Sequence, residues 1–177
     1  MKTFQHQPVL ICQVLEYLTI KSGCRVIDGT VGGGGHAEAI LKSAADVHLL
    51  GIDRDDEALA AAGMRLRDFG PRVSLVRGSY TEMQELARDQ GWSQVDRILL
   101  DLGVSSHQID TGTRGFSHRQ DGPLDMRMDR RSPVTAASIL NRASQEELAR
   151  IFREYGEERQ AARVAHAVVE RRQQHAG

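Results

Sequence analysis

Short apolar runs alternate with segments of helical periodicity along the first hundred residues of the chain. Four of these runs predict strands: RVID at 25–28, VHLLGID at 47–53, RVSLVRG at 72–78 and VDRILLDLG at 95–103. The last run is apolar almost throughout, as expected for a strand covered on both faces of a sheet. Because helical segments separate the strands, the pattern predicts right-handed crossovers and a parallel, doubly wound α/β sheet.

The segments around these strands carry apolar residues at helical spacing. They predict helices at 6–18, 37–44, 55–69 and 81–90. In the second of them, Ile40, Leu41 and Ala44 share one face, which is the pattern of a helix packed on a sheet. Thr81 and Gln84 form the capping pattern expected at the start of the fourth.

The alternation stops after Leu102. Residues 103–137 are rich in Gly, Ser, Asp and Arg without a period, and they predict an ordered loop region. Ser144 and Glu147 form a capping box that predicts a helix, which should end at Gly156. A second predicted helix follows, and four of its residues are expected on the inner face: Ala161, Val164, Ala165 and Val168.

Composition restricts the class of protein. The 177 residues are 40% hydrophobic and 27% charged, which is ordinary for a globular protein. No apolar stretch approaches the ~20 residues of a membrane span, and the first residues lack the core of a signal peptide. Cys12 and Cys24 have neither metal-binding nor redox spacing. These features predict a cytoplasmic protein with reduced thiols, no membrane partner and no metal.

The charges are distributed unevenly. Residues 1–110 contain 11 Lys and Arg against 15 Asp and Glu, whereas residues 111–177 contain 12 against 9, and all 12 of those cations are arginines. The planar guanidinium suits phosphates and base edges better than the lysine ammonium does. The bias therefore indicates a nucleic-acid partner, although solvated Arg- and Glu-rich helices have a similar composition.

The stretch VIDGTVGGGGHAE at 26–38 contains four consecutive glycines between the first predicted strand and the helix after it. Glycine loses more backbone entropy on folding than any other residue, so the run needs a reason. Ligands of doubly wound sheets bind beyond the carboxyl ends of the strands, where a helix N-terminus also offers backbone N–H groups. The loop therefore predicts a nucleotide-like ligand held close to the main chain.

Two aspartates narrow the choice of ligand. The segment 32–37 formally fits the dinucleotide pattern G-x-G-x-x-A, which leaves an NAD-dependent oxidoreductase as an alternative. However, Asp28 ends the first strand, where its charge would repel phosphates and suit a cationic group such as the amino group of a methionine moiety. Asp53 ends the second strand, 18 positions after Gly35 (53 − 35), close to the ~20 expected for a residue that holds ribose hydroxyls.

Two more residues fall at the same predicted edge. Asp101 follows the fourth strand, and Tyr80 follows the third, where its ring could stack on a base. Each aspartate taken alone could be a helix cap or a turn former. Three on one rim instead favour a cofactor that combines an adenosine, a positive centre and an amino group, which is S-adenosylmethionine.

Several longer motifs carry a family resemblance: HQPVL, DGTVGGGGH, GIDRD, LLDLGVSS, RGFS, DGPLDMRMD and YGEER. Together they resemble the RsmH (MraW) family of bacterial 16S rRNA (cytosine-N4) methyltransferases, from about His6 to Arg171. The resemblance implies a class I methyltransferase, Rossmann-like fold, S-adenosylmethionine as the cofactor and a cytidine of the small ribosomal subunit as the acceptor. It implies cofactor contacts at seven residues: Gly34, Gly35, His36, Asp53, Tyr80, Asp101 and Gln108.

The resemblance also implies the domain organisation. Residues 1–108 correspond to the S-adenosylmethionine-binding domain, and residues 109–177 correspond to the start of the family's RNA-recognition domain, both of them partial. A class I sheet usually has seven strands, and only four are found here. The run at 95–103 would then present an unpaired apolar edge, which predicts either a fragment or self-association, such as a homodimer. A non-catalytic RNA-binding fragment is a further alternative.

The predicted reaction needs a hydrogen-bond acceptor for the target amine. The N4 lone pair of cytosine is delocalised into the ring, so an acceptor for the amino protons would help to localise it. Asp101 is the candidate catalytic residue, and most of the rate should come from holding amine and methyl group in line. Asp125 and Arg127 could grip the RNA or support the site, or could pair with each other in a structural role.

Overall fold

A computed structural model describes residues 10–174, and its first unit, Met1–His107, is built on a parallel four-stranded sheet. The strands are β1 Arg25–Asp28, β2 His48–Asp53, β3 Val73–Arg77 and β4 Arg97–Leu99, in the order β3-β2-β1-β4. All four predicted strands are present. The order reverses at β1, which places a crevice beyond its carboxyl end.

Four helices accompany this sheet: α1 Ile11–Leu18, α2 Gly35–Ser43, α3 Asp56–Leu66 and α4 Met83–Asp89. The beginning of the predicted helix 6–18 lies outside the described residues. A 3-10 segment at Arg67–Arg72, kinked at Gly70, precedes β3, and a single 3-10 turn at Tyr80–Glu82 precedes α4. None of the helices within residues 10–174 is long and apolar enough to cross a membrane.

Both faces of the sheet are covered by apolar packing. Neighbouring residues point to opposite sides: Val26 and Leu49 belong to the larger buried cluster, which includes residues of α2 and α3. Ile27 and Leu50 belong to the smaller one, which includes Ala87 of α4. This two-sided burial explains why the strands are continuous apolar runs rather than alternating ones.

Strand β4 is shorter than the predicted 95–103 because it pairs only with β1, whose last residue Asp28 lies opposite Leu99. Beyond that point the chain has no ladder to continue among the described residues. On this outer strand Ile98 is 48% exposed and Leu102, just past its end, is 65% exposed. The unpaired apolar edge expected from the sequence is therefore found.

The second unit, Gln108–Gly177, is helical. Helix α5, Ser106–Asp110, begins just before this unit. The elements after it are a 3-10 turn at Gly112–Arg114 and the helices α6 Ala136–Arg142, α7 Gln145–Glu154 and α8 Ala161–Gln174. The two units meet between His107 and Gln108, and the assignment of 1–108 and 109–177 to functional domains stays a prediction. The predicted helices correspond to α7 and α8. Helix α5 lies within the segment 103–137 that was predicted to be loop, and α6 begins at the end of that segment and continues through residues for which no element was predicted.

Helix α7 begins as predicted, because the Ser144 hydroxyl accepts a hydrogen bond from the Glu147 N–H at 3.1 Å. Inside this unit Ala161 and Ala165 of α8 are buried, as predicted, and so is Leu148 of α7. Val164 was expected on the inner face but is 39% exposed. The buried stripe of α8 is therefore narrower than the periodicity predicted.

Candidate active site

The carboxyl ends of the strands bring three aspartates to one rim. Asp28 is the last residue of β1, Asp53 the last residue of β2, and Asp101 follows the end of β4. The charges of Asp53 and Asp101 both act on Asp28. The first unit thus brings together the carboxylates that the sequence placed on one rim.

Asp28 is the buried member of this group, with 1% of its surface exposed. One carboxylate oxygen accepts a hydrogen bond from the Thr30 N–H at 3.2 Å. Burial, reinforced by the charges of Asp53 and Asp101, raises the pKa of its carboxyl from the ordinary 3.8 to about 7. A positive group placed beside Asp28 would reverse this shift, because it favours the ionised form.

Asp53 is held by backbone N–H groups on both of its oxygens. One oxygen accepts from Gly32 in the glycine loop at 2.9 Å, and the other accepts from Asp55 at 2.9 Å. These bonds fix the plane of the carboxylate, and each oxygen keeps a second acceptor site. Asp53 therefore presents two oriented acceptor oxygens, and its contact with ribose hydroxyls stays a prediction.

Packing of the glycine loop against α3 partly explains why the loop requires glycine. Gly34 has φ of 80°, and a Cβ there would lie 3.2 Å from the Ala62 Cα and 3.3 Å from the Leu66 side chain of α3. The bare backbone at Gly34 thus makes room for a helix. Gly35 opens α2, whose first N–H groups have no partner within the helix and suit an anionic group. Cofactor contacts at Gly34 and Gly35 stay predictions.

His36 stands in the first turn of α2 and is 9% exposed. Its Nε2 lies 3.7 Å from an Asp101 carboxylate oxygen, which is beyond hydrogen-bond distance and becomes an ion pair only with a protonated imidazole. The Asp101 N–H donates to the Thr30 hydroxyl at 2.7 Å, while the Asp101 side chain is 67% exposed. Asp101 is therefore fixed at its backbone and open at its carboxylate.

Tyr80 is half-buried at the start of the 3-10 turn after β3. The capping box that begins this turn is formed by Ser79 and Glu82, not by Thr81 and Gln84 as predicted. The Arg54 guanidinium lies over the tyrosine ring, 6.0 Å from its centroid. Sequence reasoning missed Arg54 and Ser79; the signal for Arg54 was its position directly after Asp53.

Gln108 is the one predicted contact outside the first unit. It lies in α5 and is 7% exposed within the second unit. Its contact with a cofactor remains a prediction. The other predicted residues, Asp28, Gly34, Gly35, His36, Asp53, Tyr80 and Asp101, all belong to the first unit.

Asp125 and Arg127 adopt the structural role. Arg127 binds both oxygens of Asp125 at 2.8 Å and donates to the carbonyls of Arg130 and Ser132. The hydrogen bond from Arg127 is the main cause that lowers the pKa of Asp125 to about 2. Arg114, 1% exposed, donates to the Arg127 carbonyl at 3.0 Å. Most donors of Arg127 are therefore committed to its own loop.

Residues 3–176 match the sequence profile of the MraW methylase family. The chain belongs to this family. Among the side chains of residues 10–105 and 108–174, no group of three or more His, Cys, Asp or Glu is placed to hold a metal ion. The match confirms the family indicated by the sequence motifs and favours a methyltransferase over the oxidoreductase alternative.

The chain is similar to proteins named ribosomal RNA small subunit methyltransferase H. It is 51% identical over 172 residues to that of Symbiobacterium thermophilum, covering 97% of this chain and 54% of the relative. Identity is 52% over 168 residues with the Syntrophotalea carbinolica protein (94% and 54% covered) and 50% over 171 residues with that of Geobacter sulfurreducens (96% and 55% covered). The chain spans about half the length of these curated relatives.

Proposed function

We propose that this chain is the cofactor-binding portion of a cytoplasmic enzyme that transfers a methyl group from S-adenosylmethionine to N4 of a cytidine in 16S rRNA of the small ribosomal subunit. The observation that carries the proposal is the rim of three aspartates beside the glycine loop in a member of the MraW methylase family. Its buried acid suits a positively charged ligand, whereas a diphosphate would be repelled by it.

The residues of the rim fit the parts of this cofactor. Asp53 would accept hydrogen bonds from the two ribose hydroxyls, since both its oxygens are already oriented by Gly32 and Asp55. Tyr80 would stack on the adenine, and Asp28 would face the positive amino group. When bound, the cofactor supplies an electrophilic methyl group on a sulfonium sulfur.

Asp101 would act on the acceptor. Its exposed carboxylate could accept a hydrogen bond from the cytosine amino group, which would concentrate the lone pair on N4 toward the methyl group that the cofactor would supply. The proton that the amine loses passes to this carboxylate and from there to water. His36, whose Nε2 lies 3.7 Å from this carboxylate, would attract it only when the imidazole is protonated. Most of the rate is attributed to holding the two reacting atoms in line.

Residues 109–177 would contact the RNA. All 12 cations of residues 111–177 are arginines, and Arg159 and Arg163 are both exposed near the start of α8. Replacing both by Glu should weaken RNA binding and reduce its steep salt dependence, while affinity for S-adenosylhomocysteine stays unchanged. RNA affinity that does not respond to this change would limit α8 to a packing role.

Self-association is proposed for the open edge of the sheet. Pairing of β4 with β4 of a second copy would cover Ile98 and Leu102, which are 48% and 65% exposed. A lysine in place of Ile98 should then shift the protein from dimer to monomer in sedimentation, because edge charges oppose strand pairing. A wild-type protein that is monomeric at all concentrations would remove this proposal.

Calorimetric titration tests the cofactor assignment. S-adenosylhomocysteine should bind and NAD should not. Asp53→Ala should weaken binding by ~1–3 kcal/mol, because buried hydroxyls lose their acceptor. Asp68→Ala is the matched control, since this carboxylate is 84% exposed on the same unit. Binding of NAD alone would end the methyltransferase proposal.

The acceptor is tested with the full-length protein and small ribosomal subunits that lack the modification. Labelled S-adenosylmethionine should yield N4-methylcytidine in the rRNA digest, and Asp101→Ala should lower the turnover number more than the cofactor affinity. A protein that binds cofactor and rRNA but transfers no methyl group would support the non-catalytic alternative instead.

A further inference from the structure

Arg54 links the ends of two strands at the side of the rim where Tyr80 stands. It follows Asp53 at the end of β2, and its Nη2 donates a hydrogen bond to the Ser79 hydroxyl at 2.6 Å, beyond the end of β3. The backbone supports the same junction, because the Gly78 N–H donates to the Asp53 carbonyl at 3.0 Å. The guanidinium is thus anchored at a defined place above the tyrosine ring.

The anchor itself belongs to a rigid turn. Ser79 is 8% exposed, and its N–H donates to the Glu82 carboxylate at 2.7 Å, which closes the capping box. The Ser79 hydroxyl also accepts from the Thr81 N–H at 3.2 Å. On the side of β1, a Cβ placed on Gly29 would lie 3.0 Å from the Tyr80 Cβ. The backbone and Cβ of Tyr80 are therefore fixed, and Arg54 can control the orientation of its ring.

We propose that Arg54 is a positioning residue for the adenine of the cofactor, acting through the ring of Tyr80; this inference rests on the proposed function. The Arg54 Cζ lies 6.0 Å from the ring centroid. Two stacked contacts of ~3.5 Å each would need ~7 Å, so an adenine does not fit between guanidinium and ring. The guanidinium backs one face of the phenol, and the base takes the opposite face.

A general electrostatic role is the competing explanation. Arg54 stands among acidic residues, Asp53, Asp55 and Asp56, and could simply offset their charge. That role would not depend on the ring of Tyr80. The coupling between Arg54 and Tyr80 therefore separates the two explanations, and a double-mutant cycle measures that coupling directly.

The experiment titrates S-adenosylhomocysteine into the full-length wild type and into four variants: Arg54→Met, Arg54→Lys, Tyr80→Leu and the double variant Arg54→Met/Tyr80→Leu. Arg67→Met is the control, since Arg67 is 78% exposed and its Nε pairs with Asp68. We expect Arg54→Met to weaken binding about tenfold, within the range of a cation–π contact, and Arg67→Met to change nothing. Arg54→Lys should recover part of the loss, because it keeps the cation.

The double variant decides the mechanism. If Arg54 acts through the ring, Arg54→Met causes little further loss once Tyr80 is leucine. Equal losses in the presence and absence of the ring, or wild-type affinity of Arg54→Met, would overturn the inference. Wild-type protein that does not bind S-adenosylhomocysteine would instead overturn the proposed function, so the two failures are distinguishable. Thermal unfolding of each variant confirms that it is folded.

Discussion

Different interactions stabilise the interior of each of the two units. Of the buried apolar residues in the described part of the chain, 14 lie in the first unit and three, Leu148, Ala161 and Ala165, in the second. The first unit is stabilised by packing on both faces of its sheet. The second unit instead uses charged side chains inside a loop, where Arg114 is 1% exposed and bonds to backbone carbonyls.

Within that loop the usual arrangement of side chains is inverted. Leu124 and Met126 are 53% and 50% exposed, while the intervening Asp125 and the following Arg127 form an ion pair with side chains only 16% and 24% exposed. Hydrogen-bonded polar side chains thus stabilise this loop, as buried apolar side chains stabilise the sheet. The comparison shows that the conformation of a loop without regular secondary structure can be specified by hydrogen bonds from side chains to the backbone.

The largest effect should come from the core of the sheet. Leu49→Ala removes a side chain with 0% exposure, so it should lower the free energy of unfolding by ~2–5 kcal/mol. Urea unfolding followed by circular dichroism measures this change. Met64→Ala is the control, since Met64 is 72% exposed on α3 and should have almost no effect. Equal losses at the two positions would contradict the packing account of the first unit.

Asp28 should make the first unit respond to pH. Its pKa is raised to about 7 in the folded protein, so the folded state holds the proton more tightly than the unfolded chain between pH ~4 and 7. The stabilisation is present at low pH and is lost as pH rises toward 7. The wild type should therefore lose free energy of unfolding on the order of 4 kcal/mol as pH rises to 7, at ~1.4 kcal/mol per pKa unit, and Asp28→Asn, which cannot ionise, should not show this loss.

The second unit should show the opposite sign, because the pKa of Asp125 is lowered to about 2. Its ion pair stabilises above the ordinary carboxyl pKa and is lost as pH falls through about 2. Unfolding followed by hydrogen exchange at several pH values would resolve the units. Parallel pH dependence in both would contradict this contrast.

The internal bracing of the loop is tested by Arg114→Met. The change leaves the Arg127 and Met128 carbonyls without their buried donor, so it should cost ~1–3 kcal/mol and speed hydrogen exchange within residues 112–132. Arg119→Met in the same loop is the control, because Arg119 is exposed. Faster exchange in β1 and β2 as well would show that the two units do not respond separately.

The smallest effect is expected at the start of α7. Ser144→Ala removes the cap of the Glu147 N–H and should cost ~1 kcal/mol, because an N-terminal amide then lacks its acceptor. Ser144→Asp should restore most of the stability. A thermal melt of both variants measures the difference, and failure of aspartate to restore stability would remove the capping explanation.

Much of the first unit could be predicted from the sequence, because buried strands and helices leave periodic apolar patterns. Asp28, Asp53 and Asp101 followed from the rule that parallel strands end on one rim. The internal pairing of Asp125 with Arg127 could not be decided, since bonds between side chains and backbone have no period. Helix α6 was also missed; one local signal for it is a capping box between Thr135 and Ser138.

Helix α3 packs directly against the glycine loop at Gly34, which is a predicted contact of the cofactor. A Cβ at residue 34 would sit 3.2 Å from the Ala62 Cα, so only a residue without a side chain lets α3 pack this close to the loop. Loosening α3 by heat or denaturant should abolish ligand capture before the whole unit melts. Conversely, a bound ligand would slow protease cleavage within Asp56–Leu66, a helix that the ligand itself need not touch.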